Sequence, residues 1–246
     1  MFGACVDPAT ETDEATPDLP SDIDETAVPR LSANALAPSS LMNAQLNPDI
    51  LTQANLDQMN STLEGQRSLP YVIGCALPTG TTVTTQHWDA ILNRWVTDTY
   101  SGEIGLAPNW QTTAMTQAVQ RFVTACVMSR TNNNSTTMTI SIRGGSTQLA
   151  VTSQEATDYW LQEGAFFGNA FQGKDYYFGA CKGSGNTTAT GRDCAKPGNL
   201  SGDTPCGYKY AGLCADICLQ KGSYFYNCAA PNAVTYANPV SSYLTN

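Results

Sequence analysis

Charge is scarce in this chain, since only 13% of its 246 residues are Asp, Glu, Lys or Arg. Gly, Ser, Thr and Asn fill the space instead, a balance common in extracellular proteins and unusual in cytosolic ones. Imidazole is scarcer still, because His87 is the single histidine. Metal centres and Cys/His catalysis usually draw on more than one, so neither is expected. Residues 1–28 contain no Lys or Arg but hold eight acids, Asp7, Glu11, Asp13, Glu14, Asp18, Asp22, Asp24 and Glu25. Taking those eight from the net charge of −9 leaves about −1 on the remainder. No basic stripe exists for a nucleic acid, so that class of partner is disfavoured and none is expected. No run reaches the roughly 18 apolar residues of a membrane span.

Cysteine, by contrast, is plentiful. Nine cysteines beside one histidine point to an oxidising compartment and to disulfides. Cys5 stands apart from Cys75, Cys126, Cys181, Cys194, Cys206, Cys214, Cys218 and Cys228, and these eight form four bridges. Cys126 falls on an apolar helical stripe, and Cys75 is its natural partner as the only other of the eight before residue 180. The six later cysteines allow fifteen pairings, which the sequence leaves open. Cys214 and Cys218 lie four apart with no histidine near them, so zinc is not expected, and neither is any cofactor.

Three stretches follow one another. Residues 6–28, acidic and proline-bearing, have too few large apolar groups to offset the entropy of ordering, so 1–28 is expected to be a disordered tether. Asp22-Ile23-Asp24-Glu25 lacks the glycine-centred spacing of an EF-hand loop, which disfavours calcium. Residues 29–60 place leucine at every fifth position, Leu31, Leu36, Leu41, Leu46, Leu51 and Leu56, six of only 18 leucines in the chain. That interval matches neither a helix period of about 3.6 nor a strand period of about 2. With Ala54-Asn55-Leu56-Asp57-Gln58, Ala44-Gln45-Leu46 and Ser39-Ser40-Leu41, the tract resembles the pentapeptide-repeat family. The resemblance implies a square β-solenoid with the leucines pointing inward; Asn34, Asp49, Pro38 and Pro48 depart from its pattern. Such a short coil needs a neighbour, so it packs on residues 61–246 or stacks on another copy.

Residues 61–246 then read as a disulfide-stapled, loop-rich α+β domain. Asn60-Ser61-Thr62-Leu63-Glu64 offers caps for a short helix leading to Cys75, and residues 81–100 alternate as a hairpin holding His87. With no serine or cysteine nucleophile near it, His87 is expected to be a surface or packing residue. Val119, Phe122, Val123, Cys126 and Val127 mark a helix over 113–130, and residues 137–143 alternate as a strand. Ser153-Gln154-Glu155 caps a further helix expected to carry Tyr159, Trp160 and Leu161.

Eight of the 22 aromatics fall between residues 159 and 178, among them Tyr159, Trp160, Phe166, Phe167, Phe171, Tyr176 and Tyr177. They make either a platform for sugar rings or the filling of a loop-rich core. Glu155, Asp158 and Glu163 are the carboxylates a hydrolase would use, although glycoside hydrolysis needs two of them about 5–10 Å apart in a cleft.

Phe2-Gly3-Ala4-Cys5 looks like the lipobox of a bacterial lipoprotein, which implies an acylated Cys5; the residues before it supply no charged and apolar leader, and a free tail cysteine is the alternative. Val72-Ile73-Gly74-Cys75-Ala76-Leu77-Pro78, Ile104-Gly105-Leu106-Ala107-Pro108, Glu163-Gly164-Ala165-Phe166-Phe167-Gly168 and Gly212-Leu213-Cys214-Ala215-Asp216-Ile217-Cys218 are similar to stretches of uncharacterised lipoproteins of myxobacteria. That resemblance implies a secreted protein or one of the outer membrane or cell surface, attached only by a lipid anchor. The function expected is binding or assembly, with itself, with other envelope proteins or with a glycan. A secreted carboxylate-dependent hydrolase such as a glycosidase is the alternative.

Overall fold

The leucine tract is where the fold departs most from expectation. The computed structural model describes residues 31–33, 35–133, 137–171, 173, 175–185, 192–198 and 202–245; the tether and Cys5 lie outside them. Strand β1 (Leu31–Ala33) is followed by helix α1 (Pro38–Asn43) and helix α2 (Gln53–Met59), with extended links between. A square β-solenoid contains no helices, so the tract is no coil of its own. Leu36, Leu41, Leu46, Leu51 and Leu56 are all buried in the main core, while the side chain of Leu31 lies outside the description. The alternation of short helix and extended link returns every fifth side chain to one apolar surface. Long-range backbone contacts fix the path: Leu36 bridges Thr131, Leu46 bridges Phe171, and the Leu51 N–H donates to the Trp110 carbonyl at 2.9 Å.

Helix α3 (Leu63–Ala76) starts at Thr62, whose hydroxyl accepts from the Gly65 N–H, and buries the face that carries Leu69, Val72, Ile73 and Cys75. The ribbon of β2 (Thr82–Asp89) and β3 (Arg94–Ser101) comes next and pairs only within itself. Helix α4 (Gln117–Ser129) is capped by Thr116. It packs its Val123, Cys126 and Val127 side against the sheet and against α3, where Cys126 is bonded to Cys75.

Strand β4 (Thr139–Arg143), helix α5 (Ser153–Asp158) and strand β5 (Leu161–Asn169) follow. The cap of α5 is Thr152 rather than Ser153, and the helix stops before Tyr159, so Trp160 is in a link and Leu161 opens a strand. Strand β6 (Tyr177–Lys182), strand β7 (Lys209–Leu213), helix α6 (Cys214–Ile217), two small pairs, β8 (Leu219–Lys221) with β9 (Tyr224–Tyr226) and β10 (Cys228–Ala229) with β11 (Thr235–Tyr236), and strand β12 (Val240–Leu244) complete the chain. The main sheet runs β1-β4-β12-β5-β6-β7, antiparallel except where β6 meets β7.

Every residue of β5 is buried, because cores lie on both faces of the sheet. Side chains alternate sides along a strand. Phe166 therefore enters the larger core beside α4, while Ala165 and Phe167 enter a smaller one with Cys181, Cys214, Phe225 and Tyr236. Gly164 and Gly168 let β6 approach: a Cβ on either would sit 2.1 Å from a β6 carbonyl oxygen.

Four disulfides hold this α+β fold together, Cys75–Cys126, Cys181–Cys214, Cys194–Cys206 and Cys218–Cys228. Bridges in this number mark the protein as extracytoplasmic. Among the described residues, no helix is long and apolar enough to cross a membrane.

Candidate ligand-binding cleft

Where β12, β5 and β6 end beside the small pair β8–β9, the surface opens into a cleft of about 380 Å³. That volume falls in the range of small-ligand sites. Trp160 stands at its rim, 57% exposed in the link between α5, which ends at Asp158, and β5. Gln162, next along on β5, pairs across the sheet with Tyr243. The Gln162 side chain donates to the Tyr243 hydroxyl at 2.7 Å and accepts from the Ser184 N–H and hydroxyl, each at 3.1 Å. Both ends of the amide are thus engaged, so it fixes the cleft floor rather than swinging. The Arg143 guanidinium lies 3.7 Å from the centre of the Tyr243 ring and donates to the Tyr159 carbonyl. A cation behind the ring leaves its edge firmly placed.

Lys182, at the end of β6, also lines the cleft, with Gln220 opposite. Among the described residues no carboxylate lines it, and Lys182 is the one charged lining residue. Among the described residues Lys182 has no ion-pair partner. The site offers one exposed indole, an ammonium, hydroxyl and amide groups, and an apolar wall of Leu213, Ala215 and Phe225. Such a set holds a polar ring and an acidic group by stacking, hydrogen bonds and charge.

The expected aromatic platform does not assemble. Phe166, Phe167 and Phe171 are fully buried, Tyr159 ends α5 half-buried, and Tyr177 stacks on Tyr236 with ring centres 5.8 Å apart. Burial, followed by the neighbouring Tyr236 and Asp203, pushes the Tyr177 hydroxyl up to about 12. Tyr176 is exposed but tied by its hydroxyl to the Met42 carbonyl. Of the seven, only Trp160 lines the cleft. The reason is the strand period: consecutive aromatics on β5 fall on opposite faces, and both faces are covered.

The candidate carboxylates do not converge either. Glu155 is buried in the first turn of α5, and Asp158 accepts from Gln154 on the same helix. Glu163 is locked in the interior: Arg192 Nε lies 2.7 Å from both its oxygens, and Ser242 donates its hydroxyl to one of them. Arg192, wholly buried, also donates from its Nη atoms to the carbonyls of Ser129 and Thr131 at the end of α4. A cation there meets the negative end of the helix.

His87 proves to be part of a structural chain. Its Nδ1 lies 2.6 Å from Asp98, which accepts from Asn60 at 2.8 Å, and Asn60 in turn accepts from the Tyr100 hydroxyl at 2.7 Å. Burial, with the Asp98 charge adding to it, pushes the Tyr100 hydroxyl well above its ordinary value. Cys181, Cys218 and Cys228 bring three sulfurs within 4.8 Å of one another, but all three are committed to disulfides.

Sequence reasoning found Trp160 and missed Gln162, Lys182, Ser184, Gln220 and Tyr243. They come from separate segments, and no spacing rule joins them. Compared with known proteins, the chain matches no family model, no curated protein and no solved structure.

Proposed function

We propose that this is an extracytoplasmic binding protein, attached to the envelope through an acylated Cys5, whose cleft takes a saccharide bearing an acidic group. The observation that carries the reading is the lining of the cleft. An exposed Trp160 suits the apolar face of a sugar ring, Ser184 and Gln220 suit its hydroxyls, and Lys182 stands ready for a carboxylate. The same lining supports binding over carboxylate-dependent hydrolysis, because among the described residues no carboxyl group lines the cleft. Glu163, the candidate nearest in sequence, is held by Arg192. Stacking of the leucine tract on other copies loses its support, since its described leucines are spent on the main core.

The test is a screen of the oxidised protein against immobilised neutral and uronate-containing saccharides. Retention on the acidic set, falling at least tenfold in Trp160→Ala and in Lys182→Met, is the expected result. Equal retention of the variants, or release of shortened saccharide, would overturn the reading.

A further inference from the structure

The β2–β3 ribbon carries a second surface that the cleft does not involve. Its root is tied to the body. Gln53 donates to the Thr84 carbonyl, the Thr85 hydroxyl donates to Asp57 at 2.6 Å, and Asn60 donates to Asp98. Beyond the Gln86–Thr97 pair, His87 continues that network through Asp98. The outer pairs His87–Val96, Trp88–Trp95 and Asp89–Arg94 then project for about 10 Å. Trp88 and Trp95 are 49% and 64% exposed, and the turn beyond them bares Ile91 at 95% and Leu92 at 53%. From root to tip the exposed side chains run from Thr84, Thr99, Gln86 and Thr97 through two indoles to two aliphatic groups. Water, headgroups and acyl chains follow one another in the same order at a bilayer surface.

We propose that the β2–β3 ribbon is a membrane-docking arm, with Ile91 and Leu92 entering the acyl boundary of a lipid bilayer and Trp88 and Trp95 resting at headgroup level. Three observations favour lipid over other occupants. The two indoles meet edge to face at 73°, so they present no flat bed for sugar rings. The four side chains expose on the order of 500 Å² at the end of a narrow ribbon, short of the roughly 800 Å² per partner that a stable protein interface covers. The Ile91 and Leu92 N–H groups already donate to Asp89 at 2.8 and 2.9 Å, so the turn brings fewer bare donors into a dry medium. Asp89 and Arg94 balance one another, which points to a neutral bilayer rather than an anionic one.

Flotation of the oxidised full chain, with Cys5→Ser to exclude acylation, with phosphatidylcholine vesicles tests the arm. The expected result is co-flotation that persists in high salt, with tryptophan emission quenched by bromine-labelled acyl chains. Ile91→Ser with Leu92→Ser, at exposed positions that leave the fold intact, should lower partition at least tenfold and remove the quenching. Failure of the parent to float, flotation only with anionic lipid and lost in salt, or equal flotation of the double variant would each overturn the proposal. A parent that sediments as a dimer and a double variant that sediments as a monomer would assign the patch to a second copy and overturn it too.

Discussion

Arg192 commits a full positive charge to the interior, and the structure shows what makes this tolerable. Its guanidinium is divided between the Glu163 carboxylate and two carbonyls at the end of α4, and its central carbon lies 5.5 Å from the centre of the Phe166 ring, so its N–H donors meet acceptors and its face meets an aromatic. Removing one member of a buried pair strands the other. Arg192→Met is expected to cost about 3–5 kcal/mol in denaturant unfolding, and a companion Glu163→Met should recover part of that loss. A single variant within about 1 kcal/mol of the parent would show that the pair is not desolvated as described. No local pattern announces this contact. Both residues are ordinary charges 29 positions apart, and only the tertiary fold brings them together.

The elements divide according to how local their causes are. The ribbon, α3, α4 and the Cys75–Cys126 bridge were legible, because caps, strand alternation and the apolar stripe of α4 are written within a few residues of one another. The leucine tract was not. Its period of five belongs to no regular element, and what sets it is the spacing of contacts with Thr131, Trp110 and Phe171 far along the chain. Leu41→Asp or Leu46→Asp would place a lone charge in the main core, so either should abolish the near-ultraviolet circular dichroism of the whole domain. A tract independent of residues 61–246 would leave that signal unchanged. At the root of the ribbon, burial alone would raise the Asp57 carboxyl, but hydrogen bonds from Thr85, Gln53 and the Gln86 N–H outweigh it and hold it below the usual carboxylate range. A depressed value stabilises the folded state above the unfolded value near pH 4, and that contribution disappears as pH falls through the folded one. Amide protection at Thr85 and Gln86, corrected for the intrinsic pH dependence of exchange, should therefore drop in acid, and Asp57→Asn should remove the dependence. Protection unchanged between pH 5 and the acid limit of folding would contradict this attachment.

For the whole molecule, two cores and four disulfides do the work that one larger core would do in a cytosolic chain. The main core joins the leucine tract, α3, α4 and one sheet face. The smaller one, behind β5 and β6, contains Cys181, Cys214 and Cys228, and beside it the chain is short pairs and turns. The cleft and the ribbon are separate surfaces, one lined by Trp160, Lys182, polar side chains and an apolar wall, the other tipped by exposed apolar side chains. Their residues stand on different segments, which is why composition alone reached an extracytoplasmic, disulfide-bonded protein and stopped there. The most direct measurement of the binding account is nuclear magnetic resonance of the ¹⁵N-labelled, oxidised protein titrated with an acidic saccharide retained in the screen, followed by analysis of the recovered ligand. The account predicts shifts concentrated at the amides of Gln162, Lys182, Gly183 and Ser184 and at the Trp160 indole, saturating with ligand that is recovered whole. Shifts elsewhere with these five silent, or a ligand recovered cleaved, would contradict it.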